Sequence, residues 1–234
     1  GVSADGNLIV GTVADSFSSM GTASGFIFKR STSASTLVDA TGLFSAAGLN
    51  LTTLTAISGN GQIAVDTDFR PGKGLPTIPR IGYQCEIPNR TPVWKWYGNG
   101  PHENYTDRKS GSWTTIHEGL IPALFHRYID PQESGNRTGI RWASLSSQAG
   151  GSSLRVDATG ESLLEMACYP CSAADIQLAM HFCEIPQRDF FTLNLDHRQS
   201  GLGGTDSWGA LALPKYLIQP DKTYHWSFML SFSE

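Results

Sequence analysis

Residues 224–232 read YHWSFMLSF. Tyr224, Trp226, Phe228, Leu230 and Phe232 alternate with His225, Ser227, Met229 and Ser231. That period of two predicts a strand with one buried face. FTLNLDH, residues 191–197, repeats it, with Phe191, Leu193 and Leu195 set against Thr192, Asn194 and Asp196. Trp94 and Trp96 share one face of WKW, and Ile63 and Val65 share one face of QIAVDTDF. Between such runs lie turn signals: Gly59-Asn60-Gly61, Pro71-Gly72-Lys73-Gly74, Gly98-Asn99-Gly100-Pro101 and Gly150-Gly151. Many short strands punctuated in this way indicate an all-β sandwich or barrel.

One segment departs from the period. In SAADIQLAMHF, residues 172–182, Ser172 is placed to cap a helix and Asp175 follows three residues later, as in a capping box. Ile176, Ala179, Met180 and Cys183 recur at helical spacing, which predicts one short helix packed on the sheet.

The 234 residues suit one large β domain, and 40% hydrophobic content with 10% aromatic supplies a sizeable core. Only 16% of residues are charged and the net charge is −4, so no basic surface invites nucleic acid or an anionic membrane. No apolar run approaches the ~20 residues that a membrane-spanning helix needs. Gly1 stands where an initiator Met would, which reads as a fragment or a processed chain. Residues 1–50 are richer in Ser, Thr, Ala and Gly than the rest, with NLIVG and GFIFK as their strand-like runs. A boundary near Leu51 is one division; a single domain is the simpler one. The sequons at Asn50, Asn89, Asn104 and Asn136 carry little weight in a chain so rich in Ser and Thr.

The chemistry-bearing clusters each have a bland reading. CYPC, residues 168–171, has C-x-x-C spacing, yet no βαβ pattern and no second C-x-x-C accompanies it. With Cys85 and Cys183 the spacing is not that of a zinc ribbon, so buried small side chains are the preferred use and no metal site is expected. GPHENYTDRKSG, residues 100–111, gathers His102, Glu103, Asp107 and Arg108, either as a catalytic or sugar-binding cluster or as a loop in which Arg108 holds a carboxylate. The second is favoured. YIDPQESGNRTGIRW, residues 128–142, places Glu133, Asn136, Arg137 and Arg141 beside Trp142, to contact sugar hydroxyls or to pin loops. In QSGLGGTDSWGA, residues 199–210, four glycines forbid a helix or a central strand, yet a tryptophan stands near the end. Either the loop buries that indole or it presents it.

PRIGYQCEIP, WKWYGNGPHENYTDRKSG, YIDPQESGNRTGIRW and DIQLAMHFCEIPQRDFFTLNLDHRQSGLGGTDSWGA occur in this order over residues 51–234. The run resembles the C-terminal domain, or small chain, of the β-galactosidases of glycoside hydrolase family 2. Residues 1–50 match less clearly and are read as first strands of the same domain or a foreign segment. The resemblance implies a large antiparallel supersandwich, similar to the galactose mutarotases. It also implies that the catalytic carboxylates and the magnesium and sodium sites lie in a separate (β/α)₈ barrel. These residues show no βα alternation, so that barrel is not expected among them. By the same resemblance, Trp208 forms an apolar platform for the galactoside in the barrel's active site, with Asp206 and Ser207 shaping its loop. The expected partners are therefore a galactoside such as lactose and that barrel or a large subunit, in a homo-oligomer, with a cytoplasmic location expected. No catalytic residue is assigned within this chain. A free-standing mutarotase-like epimerase is the first alternative, for which only His102 with Glu103 or His181 with Glu184 offers an acid–base pair. A non-catalytic carbohydrate-binding module is the second.

Overall fold

The computed structural model describes the backbone of residues 8–13, 24–29 and 52–57, and residues 62–233 apart from 73, 152, 205 and 207. Among these residues the structure is two antiparallel sheets with a few short helical turns. The strands are β1 (Leu8–Val13), β2 (Ser24–Lys29), β3 (Thr52–Ile57), β4 (Gln62–Phe69), β5 (Arg80–Pro88), β6 (Val93–Gly100) and β7 (Trp113–Leu120), then β8 (Arg137–Ile140), β9 (Trp142–Ser146), β10 (Ser153–Ala158), β11 (Leu164–Tyr169), β12 (Phe190–Gln199) and β13 (Tyr224–Ser233). One sheet runs β2-β1-β5-β12-β11-β8 and the other β3-β4-β13-β10-β9-β6-β7. The all-β expectation holds.

The alternating residues build the core between the sheets. On β13, Tyr224, Trp226 and Phe228 are buried, while His225 on the opposite face is exposed. Trp226 and Phe228 meet Tyr83 of β5, whose ring lies 6.0 Å from Trp226 and 5.8 Å from Phe228, while its hydroxyl bonds the buried Thr67 hydroxyl at 2.8 Å. Leu193 and Leu195 of β12, Met166 and Cys168 of β11, and Trp94 and Trp96 of β6 fill the same layer. The pairing register sets the faces: Leu195 lies opposite Tyr83 and Asp196 opposite Gly82.

β12 departs from the one-sided pattern. Thr192, Asn194 and Asp196, the polar half of its alternation, are buried as fully as the apolar half. The loops between β6 and β8 lie over that outer face, and Tyr169 and Ala167 of β11 face a second apolar cluster there with Phe125, Cys171 and Ile176. Polar alternation marks a sheet face that does not join the main core; it does not establish that water covers it.

The predicted helix forms as α2 (Ala173–Leu178), with both bonds of the capping box: Asp175 N–H donates to Ser172 Oγ at 3.1 Å and Ser172 N–H to Asp175 Oδ2 at 2.8 Å. It is shorter than the apolar spacing suggests. Ala179 is already extended, Met180 and Cys183 are exposed, and Ile176 is the buried anchor. A further four-residue helix, α1 (Ile121–Leu124), carries Pro122 in its first turn. Among the described residues β7 pairs only with β6 and forms one edge of its sheet, with Trp113, Ile116 and Leu120 exposed.

Candidate functional site

The loop that follows β12 answers the question raised by its composition. Trp208 is 92% exposed, so the indole is presented. The loop's foot is fixed where Ser200 N–H donates to Pro79 O at 2.8 Å and Gly201 N–H to Tyr216 O at 2.8 Å. Its two limbs meet where Gly204 N–H donates to Ala210 O at 3.3 Å. At the tip, Asp206 Oδ1 accepts from the backbone N–H of Trp208 at 2.8 Å and of Ala210 at 3.2 Å, which closes a tight turn under the indole. Ser207 lies outside the described residues. Leu202, Leu211 and Leu213 are also exposed along this loop.

The structure brings part of the 100–111 segment to the same place. Asp107 Oδ2 accepts from Gly203 N–H at 2.9 Å. The neighbouring side chains turn elsewhere. Glu103 receives Arg108 Nη2 at 2.7 Å, the Tyr128 hydroxyl, and Gly135 N–H at 2.8 Å. Arg108 therefore holds a carboxylate, as the bland reading expects, and its guanidinium also lies 5.1 Å from the Tyr105 ring centre. His102 is exposed on the same segment.

The second polar segment is a set of ties. Arg80 Nη2 donates to Glu133 Oε1 at 2.6 Å, and Gln199 Nε2 donates to Glu133 Oε2 at 2.9 Å. Asn136 Nδ2 donates to Asn104 O at 3.1 Å and to Glu165 Oε2 at 3.0 Å. Arg137 is buried against Trp94 and Trp96, with its guanidinium carbon 5.6 and 5.3 Å from their ring centres. It donates to Gly135 O at 2.6 Å and Pro101 O at 3.2 Å. Burial pulls it down to about 10. These side chains anchor the covering loops to the sheet.

Sequence reasoning misses the buried carboxylates beneath those loops. Asp196 and Glu165 are directly opposed across β12 and β11, both buried, with Arg80 Nε 2.9 Å from Asp196 Oδ2. Gly82 makes room for this: a Cβ there would stand 2.6 Å from Asp196 Cα. Burial pushes Asp196 up to about 8 against the pull of Arg80, and Glu165 up to about 7 against the bond from Asn136. No sequence signal pairs Gly82 with Asp196; the register of β5 and β12 brings them together.

The remaining candidates separate. His181 Nδ1 and Glu184 Oε1 are 3.1 Å apart in an exposed 3₁₀ turn, where Glu184 also accepts from Met180 N–H at 2.8 Å, a capping arrangement. Cys168 lies in the main core and Cys171 in the second cluster, and burial raises both thiols above the ordinary range. Among the described residues no group of three or more His, Cys, Asp or Glu is arranged to hold a metal ion. No helix among them is long and apolar enough to cross a membrane.

A family model described as "Beta galactosidase small chain" matches residues 13–230. The chain belongs to that family. It is 33% identical over 171 residues to a beta-galactosidase of Priestia megaterium, which covers 73% of this chain and 16% of that protein. It is 34% identical over 173 residues to a beta-galactosidase of Lactobacillus delbrueckii subsp. bulgaricus, covering 74% of this chain and 17% of that protein. The small-chain sequence thus spans about a sixth of the length of these relatives. An Escherichia coli structure titled "Putative aldose 1-epimerase" aligns with 78% of this chain and 60% of its own at 13% identity and a TM-score of 0.37, so the two-sheet assignment rests on the strand pairing given above.

Proposed function

We propose that this small-chain domain completes the active site of a glycoside hydrolase family 2 β-galactosidase, which hydrolyses terminal β-D-galactosides such as lactose. The carrying observation is Trp208, held almost fully exposed on a loop whose tip is tied by Asp206 and whose stem is tied to the body of the domain. A flat indole suits the C–H face of a pyranose, and its edges exclude water from the sugar ring. The chain itself binds and orients. The paired carboxylates that perform retaining hydrolysis come from a barrel in the same polypeptide or a large subunit, which also carries the family's metal sites. In this reading Asp206 and Ser207 set the tip of the loop, and the assembled enzyme is a cytoplasmic homo-oligomer.

The epimerase alternative gains no support from the geometry, because Glu103 is bonded away from His102 and the His181–Glu184 pair caps an exposed turn. The test is kinetic. In the assembled enzyme, Trp208→Ala is expected to remove about 1–2 kcal/mol of galactoside binding, a rise of roughly five- to thirtyfold in KM. The chain alone is expected to release no nitrophenol from a nitrophenyl galactoside. An unchanged KM in the variant, or turnover that tracks the isolated chain through purification, overturns the reading.

A further inference from the structure

Asp107 lies 96 residues before Gly203 in the chain, yet its carboxylate is the side-chain tether on the outgoing limb of the Trp208 loop among the described residues. Oδ2 accepts the Gly203 N–H at 2.9 Å, while Oδ1 is buried without a hydrogen-bond partner. No basic side chain among the described ion pairs reaches it, so its strongest bond is the one to the loop. The loop is built to receive it. A Cβ at Gly201 would stand 2.7 Å from Asp107 Oδ2 and 2.9 Å from Ala212 Cβ, so glycine is what lets the carboxylate lie against the limb. Gly203 has φ +72°, and a Cβ there would stand 2.6 Å from Ala210 O on the returning limb. Beyond this point the tip is bonded to itself through Asp206.

We propose that Asp107 is a positioning residue for sugar binding: it fixes the direction in which the loop carries Trp208. The inference rests on the platform reading of Trp208. It acts through the indole and touches no substrate. A foot fixed at Ser200 and Gly201 leaves the limb free to swing about that foot; the Asp107 bond removes the swing, so the indole is in place before the sugar arrives.

The experiment is a double-mutant cycle in the full-length enzyme with a nitrophenyl galactoside. Asp107→Ala is expected to raise KM on the order of three- to tenfold with kcat little changed, the size of one lost hydrogen bond. Asp107→Asn keeps an acceptor oxygen and is expected to restore most of the affinity. In a Trp208→Ala background, Asp107→Ala is expected to add nothing. Gly201→Ala, which displaces the carboxylate from the other side, reproduces the Asp107→Ala effect and serves if that variant does not fold. A KM unchanged in both Asp107→Ala and Gly201→Ala while Trp208→Ala raises it overturns the positioning role alone. So does an equal Asp107→Ala effect with and without Trp208. An unchanged KM in Trp208→Ala overturns the platform reading and this inference with it.

Discussion

At the scale of single residues, two tryptophans of this chain show what burial decides. Trp96 is fully buried, its ring tilted against Trp94 at 4.9 Å and lying under Arg137, and its Nε1 donates to Asn99 O at 3.0 Å. Trp208 has its ring almost wholly in solvent. Trp96→Ala is therefore expected to cost about 3–5 kcal/mol, from lost burial plus the cavity left behind, and Trp208→Ala less than about 0.5 kcal/mol. Urea unfolding of the two variants checks both halves, and comparable losses would show that the Trp208 loop packs down. The sequence made this contrast legible only in part. Alternation with Trp94 marked Trp96 as core, and the glycines around Trp208 marked a loop, but only the backbone geometry decides which way a loop indole faces.

At the scale of elements, the same limits have a common cause. The strands were legible because a period of two repeats within a few residues, and α2 because its cap and its first turn are neighbours in the chain. The buried polar face of β12 was not legible, because its covering groups arrive from far away: the bond between Arg80 and Gln199 joins residues 119 apart. The apolar spacing past Ala179 misled for a related reason. A six-residue helix has too few internal bonds to extend unless packing rewards it, and Ile176 already fills the contact with Phe125 and Tyr169's cluster. The cap should then matter. Ser172→Ala is expected to cost about 1 kcal/mol. Asp175→Ala is expected to cost more, since Asp175 also binds Arg188, with Nε at 3.0 Å and Nη2 at 2.5 Å. Denaturant midpoints of the two variants give the order, and an equal or reversed order would remove Arg188 from the account.

At the scale of the whole molecule, the buried ionisable groups set how stability responds to pH. Asp196 at about 8 and Glu165 at about 7 hold their protons in the folded chain at pH values where the unfolded chain has released them. Their contribution is fully present below about pH 4 and is lost as pH rises through the folded values. His197 runs the other way. Its ring is stacked on Trp226 at 5.2 Å, and burial depresses it to about 4, so acid destabilises through it between about pH 6.5 and 4. The two effects oppose below about pH 6.5, and only the carboxyl effect remains above it. Stability is expected to fall between about pH 6.5 and 8, and to fall less in Asp196→Asn. Urea midpoints across that window measure it; a variant as steep as the parent would place the titration elsewhere.

The order of the strands also governs when the fold can exist at all. β12 sits inside one sheet, between β5 and β11, and β13 sits inside the other, between β4 and β10. Both are late in the chain, and each fills the middle of its sheet by pairing with a strand made more than a hundred residues earlier. On the ribosome, the first sheet cannot close until β12 at residues 190–199 has emerged, and the second not until β13 at residues 224–233 has followed, so an interval passes with half-built sheets and open hydrogen-bonding edges. A chain that lacks β13 leaves β4 and β10 without their shared neighbour, and such open strand edges are templates for pairing with other chains.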